Sequence, residues 1–254
     1  MEKELVIIGI GEIGGVFARG FLRTGHPVYP VNRGDDQETV VRKLPVPCLV
    51  LVSVGEADLY AVLAGLPDSW RPGIVLLQNE LLPRDWRQHN LVEPTIVSVW
   101  FEKKAGQDVK VVLPSPVFGR HATQIKNALG ALDIPCVIVR SEKDMLFELV
   151  RKNLYILVTN ICGLKTGGVV GDLWVENEIL VRAVASDVLD IQHRLSGTAL
   201  NREDLIAAML VAFNGDPQHK CRGRAAVPRL RRALNYGDQF ELKLPAIRRI
   251  SREI

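Results

Sequence analysis

A glycine motif near the N-terminus is the first feature of this sequence that could do chemistry. The apolar run 4–8 leads directly into Gly9-Ile10-Gly11-Glu12-Ile13-Gly14, and apolar residues at helical spacing follow over 16–22. This order of strand, glycine turn and helix gives a G-x-G-x-x-G pattern the context of a dinucleotide-binding loop. In that interpretation Gly9 allows the tight turn, Gly11 lets a pyrophosphate approach the backbone, and Gly14 lets the helix pack closely on the sheet. The alternative is a glycine turn that binds nothing.

The start of this predicted helix would also attract an anion. The backbone N–H groups of Gly11, Glu12, Ile13 and Gly14 lie where a helix leaves its first donors without intrahelical acceptors, and the helix dipole is positive there. We therefore expect these four residues, with Gly9, to bind the cofactor phosphates through their backbone.

The end of the second predicted strand indicates which dinucleotide is bound. An Asp or Glu at that position usually holds a ribose 2′-hydroxyl, but here the strand ends in Asn32-Arg33. A guanidinium can bind a 2′-phosphate in a forked geometry. We therefore predict NADP, with Asn32 and Arg33 among the cofactor-binding residues. Asp35 and Asp36 follow shortly after, and either could cap a loop or take the ribose instead.

Polar residues that could contact a substrate occur at two further places. Asn79 follows the predicted strand 73–77, and ligands of open α/β sheets bind beyond the carboxyl ends of strands. Lys152, Ile156 and Asn160 are four residues apart and form one stripe of a helix, and Lys152 and Asn160 are its polar members in an otherwise apolar segment. Asn79 could instead form a turn, and Lys152 could instead be a solvated lysine beside Arg151.

The arrangement of predicted elements favours an α/β protein of two domains. Strand-like runs alternate with helical segments up to about residue 140, which is typical of a Rossmann-type parallel sheet. From Ser141 the pattern is helical, with Ser141 and Asn201 as candidate N-caps. We predict a dinucleotide-binding domain over 1–140 and an all-helical domain over 141–254. The predicted elements are strands at 48–54, 73–77, 95–100, 109–113 and 135–139, a chain break at Pro114, Pro116 and Gly119, and helices at 57–66, 122–132, 175–194, 202–213 and 228–234.

Composition and cysteine usage narrow the class of protein. Of the 254 residues, 47% are hydrophobic and 24% are charged, as in ordinary globular proteins. No apolar run reaches membrane-spanning length, and the chain enters its first strand without a signal segment, so we expect no membrane association. The four cysteines form no C-x-x-C pair and give little support to a metal or disulfide framework, which favours a cytoplasmic protein.

The charge is distributed unevenly along the chain. Residues 218–254 contain 10 Lys and Arg against 3 Asp and Glu, whereas residues 1–217 contain 22 against 26, so the net charges are +7 and −4. Such a basic segment can bind nucleic acid or an acidic partner, or it can form a solvated face. Without aromatic interleaving or a nucleic-acid module, we do not expect nucleic acid as a partner.

Several of these features together resemble the ketopantoate reductase family over most of the chain. They include the glycine motif at the start, the helical second half, and a helix that enters that half. The residues that contribute to the resemblance are Arg33, Gln78, Asn79, Arg151, Lys152 and Asn160.

The resemblance implies an NADPH-dependent reduction of a 2-keto acid to a 2-hydroxy acid, with the active site in the cleft between two domains. By similarity Lys152 is the general acid, since carbonyl reduction needs a proton donor near the carbonyl oxygen as hydride arrives. Asn160 and Asn79 then contact substrate or cofactor. Helical second domains of this kind often dimerise, so a homodimer is also expected.

The sequence departs in four features from the pattern that the family usually shows. Ile156 stands where a second Asn is usual, Gly55 and Glu56 replace a Lys, and Glu80 replaces the Gly after Asn79. The C-terminal signature of paired serines, an Asp and a later Glu is missing, and basic residues occupy 218–232 instead. We hypothesise that these basic residues recognise a more acidic substrate, such as a phosphorylated or dicarboxylic keto acid; a solvated basic surface is the alternative.

Two functions therefore remain open from the sequence. The first is an NADPH-dependent oxidoreductase of the ketopantoate reductase type, with an altered substrate. The second is a non-catalytic NADP-binding protein, a sensor or assembly partner, that keeps the fold without the chemistry. Lys152→Ala distinguishes them, because only an enzyme has turnover to lose.

Overall fold

Two structural units follow one another along the chain. The computed structural model describes residues 4–35 and 37–254, and it divides into compact units at residue 148. The first unit alternates strands and helices, and the second is helical. The described strands are β1 (Leu5–Ile8), β2 (Val28–Val31), β3 (Val50–Val52), β4 (Ile74–Leu76), β5 (Thr95–Val97), β6 (Phe101–Glu102), β7 (Lys110–Val111), β8 (Ser115–Phe118) and β9 (Cys136–Ile138).

The helices become longer towards the C-terminus. A short 3-10 helix covers Asp68–Gly73 in the first unit. The described α-helices are α1 (Glu12–Arg23), α2 (Gln37–Lys43), α3 (Leu59–Ala64), α4 (Pro83–Arg87), α5 (Ala122–Gly130), α6 (Glu142–Thr166), α7 (Val170–Ser196), α8 (Arg202–Gly215), α9 (Ala226–Gln239) and α10 (Pro245–Glu253).

Seven strands of the first unit form one sheet in the order β2-β1-β3-β4-β5-β8-β9. The strands β1, β3 and β4 consist of buried Leu, Ile and Val, as expected of parallel strands covered on both faces. On one face, Phe17 and Phe21 of α1 and Ile125 and Leu129 of α5 form a single core cluster with the sheet. The predicted Rossmann-type α/β class is confirmed, and this sheet places the ends of β1, β2 and β3 side by side.

Residues 115–118, within the segment predicted as a break, form a strand instead. β8 runs antiparallel to β5 and parallel to β9, so the sheet is mixed at this end. A proline was expected to exclude a strand because it has no N–H to donate. Pro116 is tolerated because its carbonyl oxygen still accepts a hydrogen bond from Ser98 N at 2.9 Å.

The five strands predicted from residue 48 onwards were all longer than the strands observed. The run 95–100 pairs in the main sheet only over β5, and the run 109–113 contributes only β7, which pairs with β6 in a separate two-stranded sheet. The predicted helices agreed better with the structure, because an N-cap residue binds backbone groups only a few positions away. Ser141 Oγ accepts from Asp144 N at 3.1 Å at the start of α6, and Asn201 Oδ1 accepts from Glu203 N and Asp204 N at the start of α8.

The second unit contains one helix that the sequence pattern did not indicate. α10 begins after Leu244, which has a φ of +44°, and is capped from another helix. The carboxylate of Asp187 on α7 accepts hydrogen bonds from Ala246 N at 2.8 Å and Ile247 N at 2.9 Å. Within the described part of the chain, no helix is long and apolar enough to cross a membrane.

Candidate functional site

The glycine loop between β1 and α1 has the geometry that the motif predicts. Gly9 has a φ of +89°, which favours glycine, and its N–H donates to Val31 O at 2.8 Å. A Cβ on Gly14 would lie 2.2 Å from Gly9 O, so α1 can approach the turn only without a side chain there. A Cβ on Gly11 would meet nothing within 4 Å. Packing within the protein therefore explains Gly9 and Gly14 but leaves space beside Gly11 for a bound group.

The N-terminus of α1 opens onto that space. Gly11 is the N-cap, and its lack of a side chain leaves the first N–H groups, including those of Glu12 and Ile13, without a side-chain cap. The Glu12 carboxylate is 3.3 Å from Lys103 Nζ, so its charge is partly balanced. This arrangement suits the pyrophosphate of a dinucleotide, bound through backbone donors.

Asn32 and Asp35 stabilise the neighbouring turn after β2. Asn32 Oδ1 accepts from Ile10 N at 3.2 Å, which ties this turn to the glycine loop. Asp35 Oδ2 accepts from Asn32 N at 2.7 Å. Of the two roles considered for Asp35, the structure shows loop capping. Asp36 lies outside the described residues.

Arg33 projects from the same turn and is held by an ion pair. Its guanidinium nitrogen is 3.0 Å from Asp58 Oδ2, just before α3. The Arg33 side chain is 88% exposed and that of Asp58 is 51% exposed. Such exposed pairs contribute little to stability, so Arg33 can turn towards another anion at small cost.

The turn after β4 is organised by Gln78. The Gln78 side chain is buried, accepts from Leu77 N at 3.1 Å, and donates to Val52 O at the end of β3 at 2.8 Å. Asn79 follows it, half-buried. Glu80 has a φ of +59°, a conformation that favours glycine, which is the usual residue at this position in the family that the sequence resembles.

In the second unit, the polar stripe of α6 is buried. Lys152 is only 7% exposed, and Ile156 and Asn160 are similarly buried. The solvated lysine considered from the sequence is therefore wrong for Lys152. Its neighbour Arg151 instead donates from Nε to Ala208 O of α8 at 2.9 Å. A lysine is rarely buried to this degree unless it has partners or a function.

Asn160 contacts a second cationic side chain, that of Arg229. Its Nδ2 donates to Ile156 O at 2.9 Å, which fixes the amide, and its Oδ1 accepts from the guanidinium of Arg229 at 3.3 Å. Arg229 belongs to α9 and is only 9% exposed. The sequence reasoning missed Arg229 as an individual site residue. A signal was present, because Arg229 lies at helical spacing with the apolar Ala226, Leu230 and Ala233, on the face that becomes buried.

The loop between α8 and α9 lies directly against α6 near Asn160. A Cβ on Gly163 would lie 2.7 Å from Cys221 Cβ, so only glycine permits this approach. Gly223 lies next to Asn160, since its Cβ would be 3.5 Å from Asn160 Oδ1. Burial raises the pKa of Cys162 to about 12 and that of Cys221 to about 11. Both thiols are therefore protonated near neutral pH and offer no nucleophile.

The predicted site residues thus form two groups. The structure brings the glycine loop and Asn32 together in the first unit, and it places Lys152 and Asn160 on one buried face of α6 in the second. Among the residues described, no three His, Cys, Asp or Glu side chains are placed to hold a metal ion.

Comparison with known proteins gives a likeness of structure. No family model matches the sequence, and no curated protein matches it. The structure is similar to 2-dehydropantoate 2-reductase from Methylococcus capsulatus, with a TM-score of 0.68 and 16% identity over 97% of this chain and 94% of that one. The chain has the ketopantoate reductase fold.

The structure is similar to a comparable degree to a second ketopantoate reductase and to a dehydrogenase. Dimeric ketopantoate reductase from Staphylococcus aureus has a TM-score of 0.68 and 15% identity, covering 97% of this chain and 96% of that one. D-mandelate dehydrogenase in complex with NADH has a TM-score of 0.66 and 11% identity, covering 98% and 96%. At these identities the likeness concerns the fold, and substrate and chemistry depend on this chain's own residues.

Proposed function

We propose that this protein is an NADPH-dependent oxidoreductase that reduces a 2-keto acid to a 2-hydroxy acid. The observation that carries the proposal is the buried position of Lys152 on the same face of α6 as Asn160. Burial of a lysine costs free energy, and this position on the polar stripe lets the ammonium group act on the carbonyl group of a bound substrate. The ketopantoate reductase fold and its glycine loop supply the accompanying dinucleotide site.

The residues of the first unit fit NADPH, which supplies the hydride when bound. The backbone N–H groups of Gly11, Glu12 and Ile13 would hold the pyrophosphate, and Gly9 and Gly14 keep the turn tight enough for this. Asn32 holds the loop through Ile10 N, and Arg33 would bind the 2′-phosphate that distinguishes NADPH from NADH.

The residues of the second unit would manage the substrate. Lys152 donates a proton to the carbonyl oxygen as that oxygen gains negative charge. Asn160, whose amide is fixed by Ile156 O, and Asn79 orient the substrate or cofactor through hydrogen bonds. Burial keeps bulk water from Lys152, so its charge acts more strongly on the developing oxyanion.

Replacement of the proposed general acid tests the enzyme function. We expect Lys152→Ala to lower kcat for keto-acid reduction by about 10² to 10⁴-fold, the usual contribution of a positioned acid. NADPH affinity, measured by quenching of protein fluorescence, should remain. NADPH oxidation at 340 nm with a panel of 2-keto acids, including ketopantoate, is the activity assay.

Lys143→Ala is the matched control, because Lys143 is an exposed lysine on the same helix. It should behave as the unaltered protein does. Equal loss of activity in both variants, or full activity in Lys152→Ala, would contradict the assignment.

One observation favours the second candidate function, a non-catalytic NADP-binding protein. Ile156 is buried between Lys152 and Asn160, where related reductases usually have a second Asn, so one polar group is missing from the stripe. NADPH binding without turnover of any keto acid in the panel would support this sensor or assembly role.

We also propose that the two parts of the chain have different roles. Residues 1–140 would bind NADP, and residues 141–254 would supply substrate contacts and the interface of a homodimer in the cytoplasm. The existence of a dimeric ketopantoate reductase with the same fold supports the dimer.

A further inference from the structure

The outer face of α7 is apolar near its N-terminus, although the exposed side of a helix is usually polar. Val175 is 82% exposed and Ile179 is 89% exposed. The two residues are four positions apart on one helix, so their side chains are neighbours. Single exposed apolar residues are common on protein surfaces, whereas contiguous apolar patches mark interaction sites. This pair therefore indicates a surface that another molecule covers.

Helix α8 extends this apolar surface. The short connection 197–201 turns the chain back, so α7 and α8 run antiparallel, and an ion pair of 3.6 Å between Arg182 and Glu203 joins them side by side. Measured from this ion pair, Val175 is seven residues along α7 and Val211 is eight residues along α8, in the same direction. Val211 is 53% exposed, and Ala207, one turn before it, is also exposed. We call this surface the α7–α8 face, and it consists of Val175, Ile179, Ala207 and Val211.

The order of residues along α7 is symmetric about Asn177. Val175 and Ile179 are each two positions from Asn177, and Asp172 and Arg182 are each five positions from it. All four lie on one stripe of the helix and are exposed, although Asn177 itself departs from helical geometry with a φ of −135°. In an antiparallel crossing of two copies centred at Asn177, Val175 therefore meets Ile179 of the partner subunit. Asp172 meets Arg182 of the partner subunit, so opposite charges face each other.

A dimer with a two-fold axis needs a surface that complements itself, and this stripe has that property. We propose that the α7–α8 face binds the same face of a second copy of this chain. The apolar residues supply the affinity, because association removes them from water. Arg182 also pairs with Glu178 and Glu203 of its own chain, so the opposite charges mainly fix the orientation of the two copies. This inference rests on the homodimer in the proposed function and gives its interface, but it does not require the reaction.

Self-association of single variants tests the proposed interface. Sedimentation velocity of the unaltered protein over a range of micromolar concentrations should show a dimer. Val175→Glu and Ile179→Glu should each weaken the dimer by about 10-fold or more, because association would bury a carboxylate against an apolar side chain. Val92→Glu is the matched control, because Val92 is 83% exposed in the first unit, and it should leave the dimer unchanged. Circular dichroism of each variant shows that it is folded, as expected for substitutions at exposed positions.

Cross-linking tests the orientation of the two copies. The Val175→Cys and Ile179→Cys proteins are mixed and oxidised with glutathione disulfide, and covalent dimers are measured on a non-reducing gel. The mixture should give more covalent dimer than either variant alone, since position 175 faces position 179 across the two-fold axis. The unaltered protein gives the background from its own cysteines, of which Cys48 and Cys136 are half-buried.

Neither measurement needs a substrate, so a failure of this inference is distinguishable from a failure of the proposed reaction. A monomer at every concentration overturns the inference together with the proposed homodimer. A dimer that Val175→Glu and Ile179→Glu leave intact, or a mixture that cross-links no better than its components, overturns the inference alone. A dimer that these substitutions dissociate supports the inference even if no keto acid is reduced.

Discussion

At the scale of single residues, the cofactor prediction depends on Arg33 and its ion pair with Asp58. The pair is exposed, and a 2′-phosphate would compete with the Asp58 carboxylate for the same guanidinium. Asp58 should therefore weaken NADPH binding slightly, whereas Arg33 should strengthen it. Removal of the Arg33 charge and removal of the Asp58 charge should therefore change NADPH affinity in opposite directions. General damage to the loop would lower the affinity in both cases.

We predict that Arg33→Ala lowers NADPH affinity by about 10-fold or more while NADH affinity changes little, since only NADPH carries the phosphate. Asp58→Asn should raise NADPH affinity by up to about 5-fold, the range of an exposed ion pair. Fluorescence titration with both cofactors measures these changes. Arg19→Ala, an exposed arginine on α1, is the control. Loss of NADH binding in Asp58→Asn would show instead that Asp58 holds the ribose.

Local chemistry explains which site residues the sequence could predict. The glycine motif, Ser141 and Asn201 act within a few residues of their own position, so their spacing alone indicates their roles. Arg229 acts on Asn160, 69 residues away, and Asp187 acts on α10, 59 and 60 residues away. Such contacts depend on how helices pack against one another, and the spacing of residues along the chain does not reveal that packing.

At the scale of elements, the packing of α1 on α5 requires a glycine. A Cβ on Gly20 would lie 2.3 Å from Ala128 O, in the backbone of α5. Arg23 adds a hydrogen bond from its guanidinium to Ala131 O at 2.8 Å, just beyond α5. The helix that begins at the glycine loop is thus anchored at its other end.

We predict that Gly20→Ala lowers the free energy of unfolding by about 1 to 3 kcal/mol, because the backbone of one helix must shift. Gly15→Ala lies in the same helix with nothing within 4 Å of its Cβ, and should instead raise it by about 0.5 to 1 kcal/mol. Urea denaturation measures both. If both substitutions changed the free energy of unfolding in the same direction and by a similar amount, helix propensity rather than contact with α5 would determine the effect of Gly20→Ala.

The cap that Asp187 provides to α10 should make stability depend on pH. Burial raises the pKa of Asp187 above its ordinary value of 3.8, although hydrogen bonds from Ile247 N and Ala246 N oppose the rise. The folded protein then binds this proton more tightly than the unfolded chain does. The contribution of Asp187 to the free energy of unfolding therefore falls as the pH rises from 3.8 through the raised pKa.

We predict that Asp187→Asn removes this fall, since the amide oxygen can still accept both hydrogen bonds but carries no charge. Asp187→Ala should lower the free energy of unfolding by about 1 to 2 kcal/mol at any pH, because both donors lose their acceptor. Urea denaturation across the acidic range compares them. Asp133→Asn, at an exposed Asp, is the control and should show the same dependence of the free energy of unfolding on pH as the unaltered protein. If Asp187→Asn also shows that dependence, Asp187 is not its cause.

At the scale of the whole molecule, the order of elements was easier to predict than their pairing. Continuous apolar runs and the change to helical spacing near Ser141 indicated the α/β half and the helical half. β8 was missed because Pro116 is a strong local signal against a strand, and the pairing with β5 that overrides it is not local. α10 was missed because Asp187 supplies its cap from another helix.

The anchoring of α1 also has a consequence during synthesis on the ribosome. Arg23 and its acceptor in Ala131 are 108 residues apart, so α1 leaves the ribosome long before its partner exists. At 5 to 20 residues per second, the wait is about 5 to 20 s. During that time the apolar face of α1, including Phe17 and Phe21, has no α5 to cover it. The nascent first half of this protein should therefore be a substrate for chaperones that bind exposed apolar segments.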